Sequence, residues 1–517
     1  MMQKTTYRLW VFVFVALLTW GLTGDTAARP LPQEQETINL ERMYLGVRFS
    51  RVIQHVEKKD FQQLSLKEKL LFIECLARTG KGLQAEEKLK PILASHLSDP
   101  EVLATAGGVA LSLGRLEEAK GHIDRALELK PGLKQAILSK ALLFLYYREF
   151  NQAQKWYEKL VTLSKNTGSP WADSDLLFLV GLDVYRANLN PQKLDQLYKT
   201  HARRKKKISK SQYRESISNH KMYKRAGKQS RVLFQVETQS DKVIVPFNIG
   251  EKDSRFNTIS LTAGGKTFNV LLDTGNATGW IVHSRELNEL LKPVTGGRTI
   301  TMIGTESGFL DGYRQYYKTV DFNGFKILDV NGIYVPKPHP DYLDANLNPA
   351  FIRNRVVTVD FIKNELVLRT KERFTRDLAS AQQTQGVCRL PWYGYKSAFV
   401  PVTVLEKKGL AIIETGAQDI ALKLDFTRVL GLPLTPRVKY LATGQVTRYH
   451  QALVTFFLGD FRFWREAADV WPFSRFYNRL TGLSADVFIG PAAFRGKYVV
   501  TFDPFDKQVV LEQSGAE

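Results

Sequence analysis

Two apolar runs in this chain end in the same pattern, an acid followed by threonine and glycine. In "NVLLDTGNATGW" Val270, Leu271 and Leu272 lead into Asp273-Thr274-Gly275, and in "GLAIIETGAQDIAL" Ala411, Ile412 and Ile413 lead into Glu414-Thr415-Gly416. A charged carboxylate at the end of a buried strand is costly unless it is hydrogen-bonded or shares a proton with a neighbour. Each acid therefore needs a partner, and the other acid is a candidate for it. Two carboxyls held a few ångströms apart cannot both ionise, so one becomes a base and the other an acid at a single spot. Such a pair can deprotonate a water while donating to a carbonyl oxygen. Gly275 and Gly416 would let backbone N–H groups approach the carboxylates. The competing reading is two unrelated turn acids, each capped by nearby N–H groups.

The spacing favours two matching halves. The acids lie 141 positions apart, and "VVTVDFIKNELVL" (Val356–Leu368) aligns with "VVTFDPFDKQVVL" (Val499–Leu511) at an offset of 143. Each half would hold about 110–140 residues, the size of a small domain. From Val232 onward, short β-branched and aromatic runs separated by Gly, Pro and Asp turns read as the hairpins that must position the two loops. "SLTAGGKT" is one such hairpin and not a phosphate loop: Ser260 stands where that motif needs its first glycine, and a strand follows Lys266-Thr267.

At these residues the chain resembles the aspartic proteases of the retropepsin and pepsin type, whose site is built from two Asp-Thr-Gly loops. The resemblance spans roughly Val245 to Glu512. It implies a groove between two lobes, a catalytic pair formed by Asp273 and Glu414, support from Thr274, Gly275, Thr415 and Gly416, no cofactor and no covalent intermediate. Thr274 and Thr415 would cross-link the loops through their hydroxyls. Flaps are expected near "GTESGFLDGY", with Gly308 and Tyr313, and "LATGQVTRYH", with Thr443 and Gly444. Phe488-Ile489-Gly490 matches the apolar-apolar-Gly segment beside the catalytic loop, whereas the first half has "NLNPAFI" there and lacks the glycine. Glu414 is the larger departure, because one methylene adds about 1.5 Å of reach. A working Asp/Glu dyad, a degenerate site that binds peptides without cutting them, and two chains pairing their Asp273 loops all remain open. The second lobe already fills the partner position, which argues against the last.

Upstream, from about Ile38 to Tyr198, apolar residues recur at three and four, as in "LEEAKGHIDRALELKP". Gly107, Ala110, Gly114, Ala119, Ala126 and Pro131 fall at the small-residue positions of a 34-residue helical hairpin, with Gly80 and Ala85 one period earlier and Ala153 one period later. This stretch resembles a tetratricopeptide repeat, which implies a scaffold with a protein-binding face. A generic helical bundle is the alternative.

The formal charge of +21 is concentrated. Between Lys199 and Arg231 lie thirteen Lys or Arg and one acid, Glu215. That composition reads as a solvated helix or flexible linker, or, more sharply, as an attachment to anionic lipid. Few aromatics are interleaved, which argues against nucleic acid. Cys75 and Cys388 are the only cysteines, and the eight histidines are scattered, leaving no disulfide framework and no metal-ligand spacing. Lys4 and Arg8, the apolar stretch Leu9–Leu22 and Thr26-Ala27-Ala28 follow the order of a secretory signal. Export to a periplasmic or extracellular space is expected, with residues 9–24 as an alternative membrane anchor.

The expected organisation is multidomain: a signal at 1–28, an all-α TPR-like repeat domain at 38–200, a basic linker at 201–231, and a mainly-β, two-lobed acid-protease-like domain with lobes at 232–375 and 390–512. The expected function is an exported aspartic endopeptidase whose repeats hold a protein partner. The rival is a noncatalytic peptide-binding scaffold on the same fold.

Overall fold

The computed structural model describes residues 33–204, 209–229, 232–248, 257–302, 309–322, 324–336, 343–381, 386–440, 446–471, 480–483 and 485–513. Its first part is helical: α1 Gln33–Leu45, α2 Phe49–Val56, α3 Leu66–Arg78, α4 Gly82–Ser95, α5 Pro100–Ser112, α6 Leu116–Leu129, α7 Lys134–Tyr146, α8 Phe150–Asn166, α9 Asp175–Ala187, α10 Pro191–Ala202 and α11 Lys210–Gln229. Local chemistry starts several of them. Ser65 and Glu68 form a reciprocal capping box on α3, and Asp99 accepts the N–H groups of Glu101 and Val102 ahead of Pro100 on α5. The turns keep a 34-residue period: Gly80, Gly114 and Arg148 all adopt positive φ, at 81°, 75° and 57°. Ala85, Ala119 and Ala153 follow at the same spacing and are fully buried. Where glycine takes the first two turns without strain, Arg148 bears a cost of about 1 kcal/mol. Its guanidinium lies 3.4 Å from the centroid of the Trp392 ring and donates to the Gly394 carbonyl at 2.8 Å, so this turn fastens the helices to the strands.

The strands close into two barrels of six. In the first, the ring runs Thr258–Ala263, Lys266–Leu272, Ala345–Leu347, Trp280–Val282, Phe325–Tyr334 and Phe309–Phe322, which pairs back to the start. In the second it runs Ala398–Val404, Lys407–Ile413, Val487–Ile489, Ile420–Lys423, Phe461–Trp471 and Val446–Leu458, again closing on its first strand. The connectivity is the same in both. Closure leaves no free edge in either ring.

A third, six-stranded antiparallel sheet joins the barrels, in the order Val387–Pro391, Gln508–Gln513, Tyr498–Asp503, Val356–Asp360, Glu365–Arg369 and Lys242–Pro246. At its centre the two copies of the "VVT" motif pair with each other. Thr358 faces Thr501, and their hydroxyl oxygens are 2.8 Å apart across an internal pseudo-two-fold.

This corrects the expected architecture. The chain is not an all-α repeat domain joined by a linker to a separate β domain, since helices run to Gln229 and pack on the strands; the strands themselves fit the two-lobed expectation, as two six-stranded barrels on a shared sheet. Most of the basic segment is α11. Ser216, Asn219, Met222, Tyr223 and Ala226 form a buried stripe at helical spacing, and Asn219 Oδ1 accepts the Gly297 N–H at 2.9 Å. The stripe escaped notice because two of its five members are polar and cations surround it. Further contacts bind the helices to both barrels: Tyr146 Oη lies 3.0 Å from Thr481 Oγ1, Lys396 pairs with Asp183 at 2.9 Å, and Arg353 donates to the Ala187 carbonyl. One hydrophobic core runs from Leu40 to Leu511. Residues 1–28, and 205–208 of the basic segment, lie outside the described residues.

Candidate active site

Each acid sits where its strand leaves its barrel. The strand Lys266–Leu272 runs parallel to Ala345–Leu347, and Lys407–Ile413 runs parallel to Val487–Ile489, so the last residues before each acid are covered on both faces. The next backbone N–H continues the ladder: Asp273 donates to the Leu347 carbonyl at 2.8 Å and Glu414 to that of Ile489 at 3.0 Å. The chain then turns back, with Asn276 N–H bonded to the Asp273 carbonyl and Ala417 N–H to the Glu414 carbonyl. Equal local structure produces equal loops.

The threonines tie these loops together. Thr274 Oγ1 accepts the Thr415 N–H at 2.9 Å and donates to the Ile413 carbonyl at 2.5 Å; Thr415 Oγ1 accepts the Thr274 N–H at 3.1 Å and donates to the Leu272 carbonyl at 2.8 Å. Both side chains are fully buried. All four bonds cross between the barrels and leave the two acids little freedom to separate.

The carboxyls meet over the glycines. Gly275 N–H is shared between Asp273 Oδ1 at 3.1 Å and Glu414 Oε1 at 3.0 Å, and Gly416 N–H donates to Glu414 Oε1 at 3.1 Å. A methyl group on Gly416 would lie 2.6 Å from Asp273 Cγ, and one on Gly275 would overlap the Glu414 carboxyl. Each glycine thus makes room for the other loop's acid. The extra methylene of Glu414 carries its carboxyl deeper into that space. Glu414 is 7% exposed while Asp273 is half-buried. Burial, then the charge of Asp273 and a side-chain hydrogen bond to it, push the Glu414 carboxyl well above the usual glutamate range. These causes favour the neutral form of the Glu414 carboxyl.

Three residues at the site were not singled out from the sequence. Parallel pairing sets Asn346 opposite Leu271 as it sets Phe488 opposite Ile412. Asn346 Nδ2 donates to Asp273 Oδ2 at 2.8 Å, and His283 Nε2 lies 3.3 Å from Asn346 Oδ1. The signal was an asparagine, in an otherwise apolar strand, aligned with a phenylalanine in the other half. Asn348 takes the place of Gly490; instead of a glycine, the first barrel has an amide whose Nδ2 donates to the carbonyls of Thr274, Asn276 and Lys396.

The described parts of the flap stretches, 309–313 and 446–450, lie in the strands Phe309–Phe322 and Val446–Leu458. Tyr313 lies in the strand Phe309–Phe322, opposite Arg298 and Tyr334, and is 41% exposed. Gly308, Thr443 and Gly444 lie outside the described residues. Among the described residues no group of His, Cys, Asp or Glu side chains could hold a metal ion. Cys75 and Cys388 are both free and buried.

No protein-family model matches the chain, and no curated protein does. Among solved structures, basic 7S globulin from soybean is similar over 53% of this chain and 97% of its own, at 9% identity and a TM-score of 0.31. A retropepsin-like aspartic protease from Rickettsia conorii is similar over 26% of this chain and 94% of its own, at 19% identity and a TM-score of 0.20. A tetratricopeptide repeat protein from Parabacteroides merdae is similar over 37% of this chain and 74% of its own, at 16% identity and a TM-score of 0.24.

Proposed function

We propose that this chain is an exported peptidase that hydrolyses peptide bonds with the Asp273–Glu414 pair, its helical part presenting a protein partner or substrate. The observation that carries the reading is the convergence of the two carboxyls on one backbone donor, the Gly275 N–H. Two acids that merely capped their own turns would have no reason to share a donor. Export rests on Lys4, Arg8 and the apolar stretch that follows them.

The roles follow from the proton. Asp273, the carboxylate, takes a proton from water as the water oxygen bonds to the scissile carbonyl carbon; Glu414 donates its proton to the carbonyl oxygen. The resulting diol collapses as the C–N bond breaks: the leaving nitrogen takes the proton from Asp273, and one diol hydroxyl returns a proton to Glu414. No covalent intermediate forms, and the pair ends as it began.

The test is peptide cleavage from acidic to neutral pH by the native protein, Asp273→Asn and Glu414→Gln. Cleavage by the native protein with a loss of about 10³-fold or more in each variant is expected, since each removes a general acid or base. Equal cleavage by all three would overturn the dyad. No cleavage by any would leave a peptide-binding scaffold.

A further inference from the structure

We propose that Asn346, steered by His283, is a positioning residue that holds Asp273 as the carboxylate of the pair and so fixes the shared proton on Glu414. The kinetic consequence rests on the peptidase reading above; the location of the proton does not.

The internal symmetry makes the case. Both barrels place a residue of the parallel partner strand beside the strand that carries the acid, and the two positions differ in kind: Asn346 in the first barrel, Phe488 in the second. The Phe488 side chain offers no N–H, whereas that of Asn346 donates to Asp273 Oδ2 at 2.8 Å. A hydrogen bond donated to a carboxyl group favours its charged form. Glu414 accepts the backbone N–H groups of Gly275 and Gly416, the first of them shared with Asp273; Asp273 alone has a side-chain donor from its partner strand, and it is the shorter and less buried acid. Glu414, set deeper, is left as the group that is neutral at least cost.

The orientation of the amide and the tautomer of His283 are linked. Were Asn346 flipped, its Oδ1 would face the Asp273 carboxylate, acceptor against acceptor. In the observed orientation Oδ1 faces His283 Nε2 at 3.3 Å, and that nitrogen must then carry a hydrogen. Asn346 and His283 are only 5% and 6% exposed, so bulk water cannot replace either partner at little cost. His283 is held in turn by its backbone N–H, bonded to the Asp344 carbonyl at 2.8 Å. The titratable groups around this chain of bonds include Glu414, on the facing loop, His283 behind Asn346, and Asp344, whose carboxylate accepts the Asn269 N–H at 2.9 Å.

The experiment reads the proton directly, in full-length protein without substrate. Infrared spectra are recorded near neutral pH with ¹³C-carboxyl glutamate or, separately, ¹³C-carboxyl aspartate incorporated. In the native protein, a protonated-carboxyl band that is absent from Glu414→Gln is expected to shift with the glutamate label alone. In Asn346→Leu, part of that band should move to the aspartate label. The acid limb of any peptidase activity should also shift toward neutral pH, with kcat down about ten- to hundredfold, the range for losing a hydrogen bond to a charged group, and KM little changed. His283→Gln, which keeps an N–H donor, should behave as native, and His283→Phe should follow Asn346→Leu; this pair decides the matter if Asn346→Leu does not fold. A folded Asn346→Leu or His283→Phe whose band stays wholly with the glutamate label overturns the proposal. Absence of peptidase activity in the native protein would count against the proposed function and leave the infrared result to decide this one.

Discussion

Thr274 and Thr415 each accept the other's backbone N–H, at 2.9 and 3.1 Å, and each donates to the residue that precedes the other's acid. The two barrels are thereby joined at the point where their carboxyls meet. Thr274→Val would leave the Thr415 N–H and the Ile413 carbonyl without these partners in a buried site, a destabilisation of about 2–4 kcal/mol. Thr274→Ser keeps the hydroxyl and loses one methyl, about 1 kcal/mol. Urea unfolding of both variants checks the order; equal midpoints would mean that the hydroxyl carries no stability here.

The glycines predict an asymmetric rescue. Gly275→Ala and Gly416→Ala should each lower peptidase activity about 10²-fold, because either methyl displaces a carboxyl by about 1 Å. The methyl on Gly275 collides with Glu414 and the methyl on Gly416 with Asp273. Shortening Glu414, as Gly275→Ala/Glu414→Asp, should recover part of the loss, whereas Gly416→Ala/Glu414→Asp should recover none. Rescue of both double variants, or of neither, would show that the extra methylene of Glu414 does not occupy the space above Gly275.

Both acid loops were legible in the sequence because an apolar run ending in acid-Thr-Gly, found twice, leaves few other arrangements for its carboxylates. The 34-residue frame was legible as well, and its alanines are buried at that spacing. The third turn hid itself, since Arg148 occupies with positive φ a position where glycine marked the first two. Asn346 was missed for a related reason. A polar residue in an apolar strand shows only as a departure until the partner strand is known, and its partner lies 73 positions away at Asp273. The docking of α11 was masked by composition, because a helix with few apolar residues can still bury a stripe when neighbours bond its polar members, as the Gly297 N–H bonds Asn219 Oδ1 and the His201 ring bonds Ser216 Oγ.

The exposed side of α11 carries Lys210, Arg214, Lys221, Lys224, Arg225 and Lys228, while the opposite side faces the first barrel. A cationic face on a fixed helix predicts adsorption to anionic bilayers without insertion, worth about 1 kcal/mol per cation near the surface. Protein lacking residues 1–28 should float with vesicles containing phosphatidylglycerol at low salt and be released at high salt, and Lys221→Glu/Lys224→Glu/Arg225→Glu should float poorly. Equal recovery with neutral vesicles, or binding that salt does not weaken, would rule this surface out.

Stability should fall as pH rises through the range in which Glu414 holds its proton. Below the ordinary glutamate value of 4.5 the group is protonated in both the folded and unfolded chain and contributes no pH dependence. Above it the unfolded chain ionises, while the folded chain keeps the proton, because burial and the Asp273 charge hold the native carboxyl well above that value. The folded state then binds more protons than the unfolded one, so this group lowers stability by up to about 1.4 kcal/mol per pH unit until its own native pKa is passed. Glu414→Gln removes the titration and keeps an N–H donor for Asp273. Its stability relative to the native protein should therefore rise steadily from pH 5 upward, as measured by urea unfolding across a pH series. A difference between the two proteins that stays constant with pH would mean that Glu414 ionises in the folded chain as readily as in the unfolded one, and the shared proton would have no place at this site.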